Sequence, residues 1–299
     1  MREKPYELKI YEALLYRKAL SSEELQKYRL LQKGYQGECQ FDRYVDNLSG
    51  EYITLQDLWL PHRNKFFQID YGLILNNTFF LYEVKNYKGD FFYENNKLFF
   101  NTGKEIDDPL TQLRRADSLL NQLLQDLDLQ IPIQSSVVFV NPEFTLLQVP
   151  RNSNIILPTQ LNRYVQQLHA DSRLDSHCYQ IEKKLKQLAL PQSPFQQLPD
   201  YSFQELKKGI RCQSCKRLDT KIVGKMSICQ HCDEKEQSQT AILRNIEELQ
   251  LLFPHLKITT TIAQTWLAKG SKRRTQYVLN KYLMKKGEKK GRYYIINKS

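Results

Sequence analysis

The chain has 299 residues, 41% of them apolar, a length that suits two or more domains and a composition able to bury a core. No stretch approaches the roughly 18 uncharged apolar residues that a membrane helix needs. Arg2, Glu3, Lys4, Glu7, Lys9 and Glu12 interrupt the opening residues, unlike the apolar core of a secretory signal, so the expectation is a soluble, cytoplasmic protein with no membrane partner. The net charge of +11 is unevenly placed: residues 200–299 carry 21 Lys and Arg against 9 Asp and Glu, while the first 199 carry 23 against 24. A basic third of this kind suits an anionic partner such as nucleic acid or an acidic membrane surface, the plainer alternative being a solvated basic face.

Helices are predicted over residues 6–19 and 22–48. In the second, Leu25, Tyr28, Leu31 and Tyr35 recur at helical spacing, and Phe41, Tyr44, Val45 and Leu48 continue the stripe. Gly34 and Gly37 interrupt it and predict a break. Strand character follows in Tyr52–Leu58, Phe66–Leu75 and Phe79–Lys85, with Asn76-Asn77 as a hairpin turn between the last two. Phe91–Tyr93 and Lys97–Phe100 flank Glu94-Asn95-Asn96, a second hairpin. Pro109 begins an amphipathic helix over about 109–128, carrying Leu110, Leu113, Leu119, Leu120, Leu123 and Leu124. Ser136–Val140 and Asn154–Leu157 are buried-type strands, and 160–169 and 178–189 are helical. Pro191, Pro194 and Pro199 among glutamines mark residues 191–204 as a linker.

Two of these strands carry charge in a useful pattern. Alternate strand residues share a face, so Glu83 and Lys85 project together with Val84 behind them. A hairpin turning at Asn76-Asn77 sets Asp70 opposite residue 83, so Asp70, Glu83 and Lys85 meet at one sheet surface. Two carboxylates hold a hard cation such as Mg²⁺ or Mn²⁺ through oxygen. Such an ion polarises a phosphate and acidifies a bound water, and a lysine offsets charge developing on the phosphate. Taken alone, the same spacing also occurs as an ordinary Glu/Lys pair on a solvated strand.

The surroundings add to it. Gly37-Glu38 at a helix opening, Gln68-Ile69-Asp70, Glu83-Val84-Lys85-Asn86 with Lys88-Gly89, and Asp108-Pro109-Leu110-Thr111-Gln112 with Arg115 follow in order. Over about residues 32–149 the chain resembles the nuclease-related domain, a branch of the PD-(D/E)xK nuclease superfamily. The resemblance implies an α/β, restriction-endonuclease-like mixed sheet flanked by helices, here set at 32–190. It also implies Asp70 and Glu83 as ligands of Mg²⁺ or Mn²⁺, Lys85 at the catalytic water, Glu38 as a further acidic group, and Gln112 near the site. The chain departs from the pattern at Pro61-His62-Arg63-Asn64-Lys65, where many members carry a glycine-rich loop. His62 and His169 stand alone and are expected as core or surface residues.

Cys212, Cys215, Cys229 and Cys232 form two CxxC pairs separated by thirteen residues. In an intracellular chain such pairs point to metal rather than disulfides. Four thiolates suit tetrahedral Zn²⁺ with no open position, hence a structural ion. A hairpin through Val223-Gly224-Lys225 would complete a zinc ribbon over 205–236, with His231 not a ligand. Lys207, Lys208, Arg211, Lys216, Arg217, Lys221 and Lys225 surround it, able either to touch phosphate or to keep a small module soluble. Cys39 and Cys178 stand alone.

A helix is predicted over 240–253 with Ile242, Leu243, Ile246, Leu249 and Leu252 inward. Thr259 or Thr260 caps a second helix carrying Ile262, Trp266 and Leu267. Gly270 ends it, and Ser271 caps a third helix that turns Val278, Leu279, Tyr282 and Leu283 to a core. A basic, glycine-bounded turn over 285–292 then enters Tyr293-Tyr294-Ile295-Ile296. Residues 240–299 resemble a winged helix-turn-helix, which implies a third helix in the major groove and a wing along phosphate. Lys272, Arg273, Arg274, Gln276 and Asn280 on that helix, and Lys289, Lys290 and Arg292 on the wing, are the candidate contacts. The expected layout is a helical extension over 1–31, the nuclease-related domain, the linker, the ribbon and the winged helix. The expected function is a metal-dependent nuclease acting on DNA. A non-catalytic DNA-binding or regulatory protein, an RNA-processing nuclease, and a protein-docking role for the C-terminal module are the alternatives.

Overall fold

A computed structural model describes residues 2–151, 154–168, 173–268, 272–288 and 291–296. The chain divides into two compact units, the first formed by Met1–Tyr6 and Arg29–Gln196, the second by Glu7–Tyr28 and Gln197–Ser299. Residues 7–28, set apart by sequence as part of an N-terminal extension, thus group with the last third of the chain. Among the described residues no helix is long and apolar enough to cross a membrane.

Two helices come first, α1 (Tyr6–Leu14) and α2 (Ser22–Val45). α2 runs unbroken through both glycines, which corrects the expected break and the expected helix opening at Gly37-Glu38. The reason for Gly37 is proximity. A Cβ there would lie 2.6 Å from the Asn86 Cβ and 3.3 Å from the Val140 Cγ2, so only glycine lets the helix come this close to the sheet. That closeness offsets a helix-propensity cost of about 1 kcal/mol.

The first unit continues with β1 (Ile53–His62), β2 (Lys65–Leu75), β3 (Thr78–Lys85), β4 (Gly89–Glu94), β5 (Lys97–Phe100) and β6 (Glu105–Ile106). It closes with α3 (Pro109–Asp126), β7 (Ile133–Phe139), β8 (Phe144–Leu147), β9 (Ile155–Ile156), α4 (Leu161–Gln167) and α5 (Ser176–Leu188). The main sheet has the order β1-β2-β3-β7-β9. β1/β2 and β2/β3 are antiparallel, β3/β7 and β7/β9 parallel, so the sheet is mixed. A smaller sheet has the order β6-β5-β4-β8. Asn76 and Asn77 both take positive φ, as do Arg63 and Asn64, the backbone of a tight two-residue hairpin. The Pro61–Lys65 stretch is therefore the end of one hairpin, with His62 paired to Lys65.

Helices cover both faces of the main sheet. On one face Phe41 and Val45 of α2 pack with Tyr71, Leu73, Tyr82 and Val84. On the other, Leu113, Leu120 and Leu124 of α3 and Ile181 and Leu185 of α5 pack with Ile69, Ile74, Phe79, Leu81 and Val137. Each such buried leucine contributes about 1.5–3 kcal/mol. The alternation reverses within two adjacent strands. Phe67 and Ile69 of β2 share the α3 face, yet Tyr71, Leu73 and Leu75 take the α2 face. In β1, Ile53 and Leu55 and then Leu58 and Leu60 all take the α3 face. The reversal falls between the pairs Gln56–Tyr71 and Leu58–Ile69, at Asp57 and Asp70, and Asp57 has a φ of 51°. Two neighbouring carboxylates thus stand where the sheet bends.

The second unit contains α1, β10 (Thr220–Val223), β11 (Met226–Cys229), β12 (Lys235–Gln237) and α6 (Ser238–Leu252). It continues with α7 (Thr260–Leu267), α8 (Lys272–Tyr282), β13 (Met284–Lys286) and β14 (Tyr293–Ile295). β10-β11-β12 form one antiparallel sheet, β13 pairs with β14, and Ile258 bridges to Tyr294. The Thr259 hydroxyl caps α7 by accepting from the Ile262 amide at 3.2 Å. Ala268, at a φ of 53°, closes that helix, while Gly270 and Ser271 lie outside the described residues. Ile246, Leu249, Trp266 and Leu279 are buried, but Tyr282, expected inward, is exposed and donates to the Gln239 side chain.

Arg17 ties this unit together from its interior. Its guanidinium is fully buried, with Nε 2.5 Å from Glu248 Oε1. Further donations reach the Asn245 Oδ1 at 3.2 Å and the Lys207 carbonyl at 2.8 Å. The group stacks 3.8 Å from the Trp266 ring centre, and the Trp266 indole donates to the Asn245 carbonyl.

Candidate functional site

Tyr71 pairs with Tyr82 in the β2/β3 hairpin, and continuing that register sets Asp70 opposite Glu83. The Asp70 Oδ2 accepts from the Val84 amide at 3.2 Å. The Lys85 ammonium lies 2.5 Å from Glu83 Oε1. Asp70, Glu83 and Lys85 therefore come together at the bend of the sheet.

Glu38, the residue after Gly37 in α2, meets this cluster through Arg2. Arg2 Nη1 donates to Glu38 Oε2 at 2.8 Å and to the Asp70 carbonyl at 3.3 Å. Its Nε and Nη2 grip the two Asp42 oxygens at 3.1 Å each. Asp57 accepts from the Gln68 amide at 2.7 Å. Gln112 is exposed in the first turn of α3 and stands apart from this hydrogen-bonded cluster; the same turn is capped by Asp108, which accepts from the Leu110 amide and the Tyr93 hydroxyl.

Burial sets the electrostatics. It pushes the Glu83 carboxyl up to about 7, helped by Asp70 and opposed by Lys85. It pushes Glu38 up to about 8, helped by Asp70 and opposed by Arg2. Asp70 and Asp57 are raised as well, each chiefly by burial. For Lys85 burial works downward, but Glu83 and Asp70 outweigh it and hold the ammonium protonated. Crowded, desolvated carboxylates of this kind are a hard-oxygen donor set, and they fit a divalent cation of the Mg²⁺ type. Asp70 and Glu83 are the acids that could hold such an ion. Among the described residues no three carboxylates bring their oxygens within 4.8 Å of one another.

Sequence reasoning missed Arg2 and Asp57. Asp57 leaves a trace, because it stands where the apolar alternation of a strand reverses. Arg2 leaves none, since its partners lie 36 to 68 residues away. His62 is buried, consistent with a core role, and His169 lies outside the described residues.

The four cysteines of the second unit do converge, their sulfurs all within 4.8 Å of one another. Cys212 faces Cys232 at 3.7 Å and Cys215 faces Cys229 at 3.6 Å. Each CxxC turn folds an amide onto its first sulfur, from Ser214 to Cys212 and from His231 to Cys229. The β10/β11 hairpin turns at Gly224, whose φ is positive, and the whole is compatible with a zinc ribbon. The His231 ring meets the Arg217 guanidinium instead. Of the basic residues near the ribbon, Lys208 packs over Phe203 and Trp266 and Arg211 pairs with Glu248, so these two serve the interior.

On α8 the outward residues are Lys272, Arg273, Gln276, Tyr277 and Asn280, with Arg274 half-buried. Asn280 is engaged by the Tyr294 hydroxyl at 3.0 Å, which fixes β14 against the helix. Arg292 is exposed at the entry to β14, and Lys289 and Lys290 lie outside the described residues.

The first unit is a mixed sheet flanked by helices, with an aspartate and a Glu-x-Lys on adjacent strands. The family model of the nuclease-related domain matches residues 33–140, the span that holds Glu38, Asp70, Glu83 and Lys85. The match points to a nuclease-like function, to nucleic acid as the substrate class and to divalent-metal dependence. No curated protein and no solved structure matches the chain.

Proposed function

We propose that residues 32–190 form a Mg²⁺- or Mn²⁺-dependent phosphodiesterase acting on DNA. Residues 205–236 then form a ribbon around a structural Zn²⁺, and residues 240–299 a winged helix that engages the target. The observation that carries the reading is the meeting of Asp70, Glu83 and Lys85 on adjacent strands inside the matched span. Asp70 and Glu83 would hold the divalent ion, which when bound polarises phosphate and acidifies water. Lys85, kept protonated by both acids, offsets negative charge developing on the phosphate. The Val84 amide and the strand bend keep Asp70 in place without its needing the metal.

The order α6, Ile258 bridge, α7, α8, β13, β14 supports a winged helix, with Arg273, Gln276 and Arg292 outward as contacts should be. Four thiols held for metal suit a reducing, cytoplasmic setting. The test is purified full-length protein with Mg²⁺ or Mn²⁺ on labelled single-stranded DNA, duplex DNA and RNA, beside Glu83→Gln. Cleavage of DNA that Glu83→Gln abolishes while the fold survives is the expected result. RNA cleaved in place of DNA moves the substrate assignment. Binding with no cleavage in any metal favours a silent, DNA-binding protein.

A further inference from the structure

Tyr87 stands two residues past the end of β3. Phe79 and Leu81 of that strand pack on the α3 side of the sheet, and its two-residue period carries Glu83 and Lys85 to the same face. Tyr87 packs against this core as well. Its ring centre lies 5.3 Å from that of Phe91, the two planes 20° apart, and 5.8 Å from that of Phe139. Phe139 is the β7 residue paired with Lys85, so the ring is braced against the strand neighbour of the lysine.

The hydroxyl of this ring is unclaimed. Elsewhere in the first unit the Tyr82 hydroxyl meets that of Tyr164, the Tyr93 hydroxyl donates to Asp108, and the Tyr35 hydroxyl donates to the Arg2 carbonyl. A tyrosine whose ring is packed away usually finds such a partner. Lys85, Glu83, Asp107 and Asp108 all act on the Tyr87 hydroxyl through their charge, yet among the described residues none is hydrogen-bonded to it. Two of these acids are already engaged, Glu83 by the Lys85 ammonium and Asp108 by Tyr93, the Leu110 amide and the Thr111 hydroxyl. Burial pushes the Tyr87 hydroxyl above its ordinary range, so it keeps its proton and donates. An ammonium and a hydroxyl thus stand beside the acid pair, the hydroxyl with no acceptor of its own. A phosphate group brings acceptor oxygens enough for both.

We propose that Tyr87 is a further catalytic residue, whose hydroxyl donates a hydrogen bond to a non-bridging oxygen of the scissile phosphate beside Lys85. This rests on the phosphodiesterase reading above. No proton changes hands: the hydroxyl keeps its hydrogen, and the bond strengthens as negative charge gathers on that oxygen. A donor used in this way lowers the barrier more than it tightens substrate binding.

The test uses the full-length, zinc-loaded protein in Mn²⁺ on labelled DNA with ordinary phosphates, and on the same DNA made with Rp or with Sp phosphorothioate linkages. Tyr87→Phe keeps the ring and its packing on Phe91 and Phe139, so its melting temperature should match the wild type. Its kcat should fall by about 10²-fold, with KM changed far less. Sulfur is a poor acceptor, so the series that replaces the oxygen facing Tyr87 should slow the wild type. The same series should cost Tyr87→Phe about tenfold less, because that hydrogen bond is already gone. An unchanged kcat in Tyr87→Phe would overturn the inference and leave the phosphodiesterase standing. A lowered kcat with the full sulfur penalty in both series would overturn it too, as the mark of a merely structural role. Both series cleaved by the wild type as fast as ordinary DNA would overturn it without any variant. A wild type that cleaves nothing would overturn the phosphodiesterase reading and this inference with it.

Discussion

Replacing Arg17 by methionine removes the centre of the second unit's polar core while keeping a side chain of similar reach. Arg17 Nε lies 2.5 Å from Glu248 Oε1, both side chains being almost wholly buried. Removing one partner of a buried ion pair costs about 3–5 kcal/mol, mostly through the charge left behind. Arg211 also meets Glu248, and the Arg211 amide also donates to Asn245 at 2.8 Å, so neither group is left entirely alone. The lower end of that range, about 3 kcal/mol, is the expected loss. The chain holds two tryptophans, Trp59 in the first unit and Trp266 in the second, and Arg17 stacks on Trp266. Urea unfolding in a Trp59→Phe background therefore reads the second unit through Trp266 fluorescence. Arg17→Met should lower the midpoint with little change of slope and shift Trp266 emission in the native state. A loss below about 1 kcal/mol, the value of an exposed pair, would refute the assignment of Arg17 as the buried hub.

Three further outcomes follow from the geometry. Gly37→Ala should destabilise the first unit by about 1–3 kcal/mol through overpacking on Asn86, against a gain in helix propensity; a raised melting temperature would contradict the contact. If the four cysteines hold zinc as proposed, chelating it should collapse the β10/β11 hairpin, seen by hydrogen exchange, with Trp59 fluorescence unchanged in a Trp266→Phe background. In the metal-free protein Glu83 is raised to about 7, so its protonated form is favoured and the stability it lends is lost as pH rises from its ordinary 4.5 through 7. A divalent ion needs the ionised form, so Mn²⁺ affinity should climb with pH by about tenfold per unit below that value, and a flat profile by calorimetry would exclude Glu83 as a ligand.

What was legible in the sequence was local. Asn76-Asn77 sets the turn, the turn sets the register, and the two-residue period of a strand then carries Asp70 to Glu83 and Lys85. The cysteines were legible because CxxC is a complete geometric unit. Gly37 shows the limit: its spacing reads as a helix break, while the real cause is Asn86, on a different element. Lys208 and Arg211 counted as surface charge until their partners Trp266 and Glu248 were in place. Arg2 was invisible for the same reason, because no period or motif links it to Glu38, Asp42 and Asp70. Asp57 lies between, marked by a change of strand phase that has meaning only once Asp70 is seen opposite it.

The second unit is discontinuous in the chain, and synthesis runs in one direction. α1, with Leu8, Ile10, Tyr11, Ala13 and Leu14 buried in the finished protein, leaves the ribosome long before residues 197–299 exist. At about 5–20 residues per second, the roughly 180 residues between Leu14 and Gln197 take on the order of 10–35 s to make. Throughout that interval Arg17 has no Glu248, Asn245 or Trp266 to receive it. The nascent chain thus carries an unclaimed amphipathic helix for as long as the first unit is being made, and a chaperone that grips short apolar helices has its longest opportunity there.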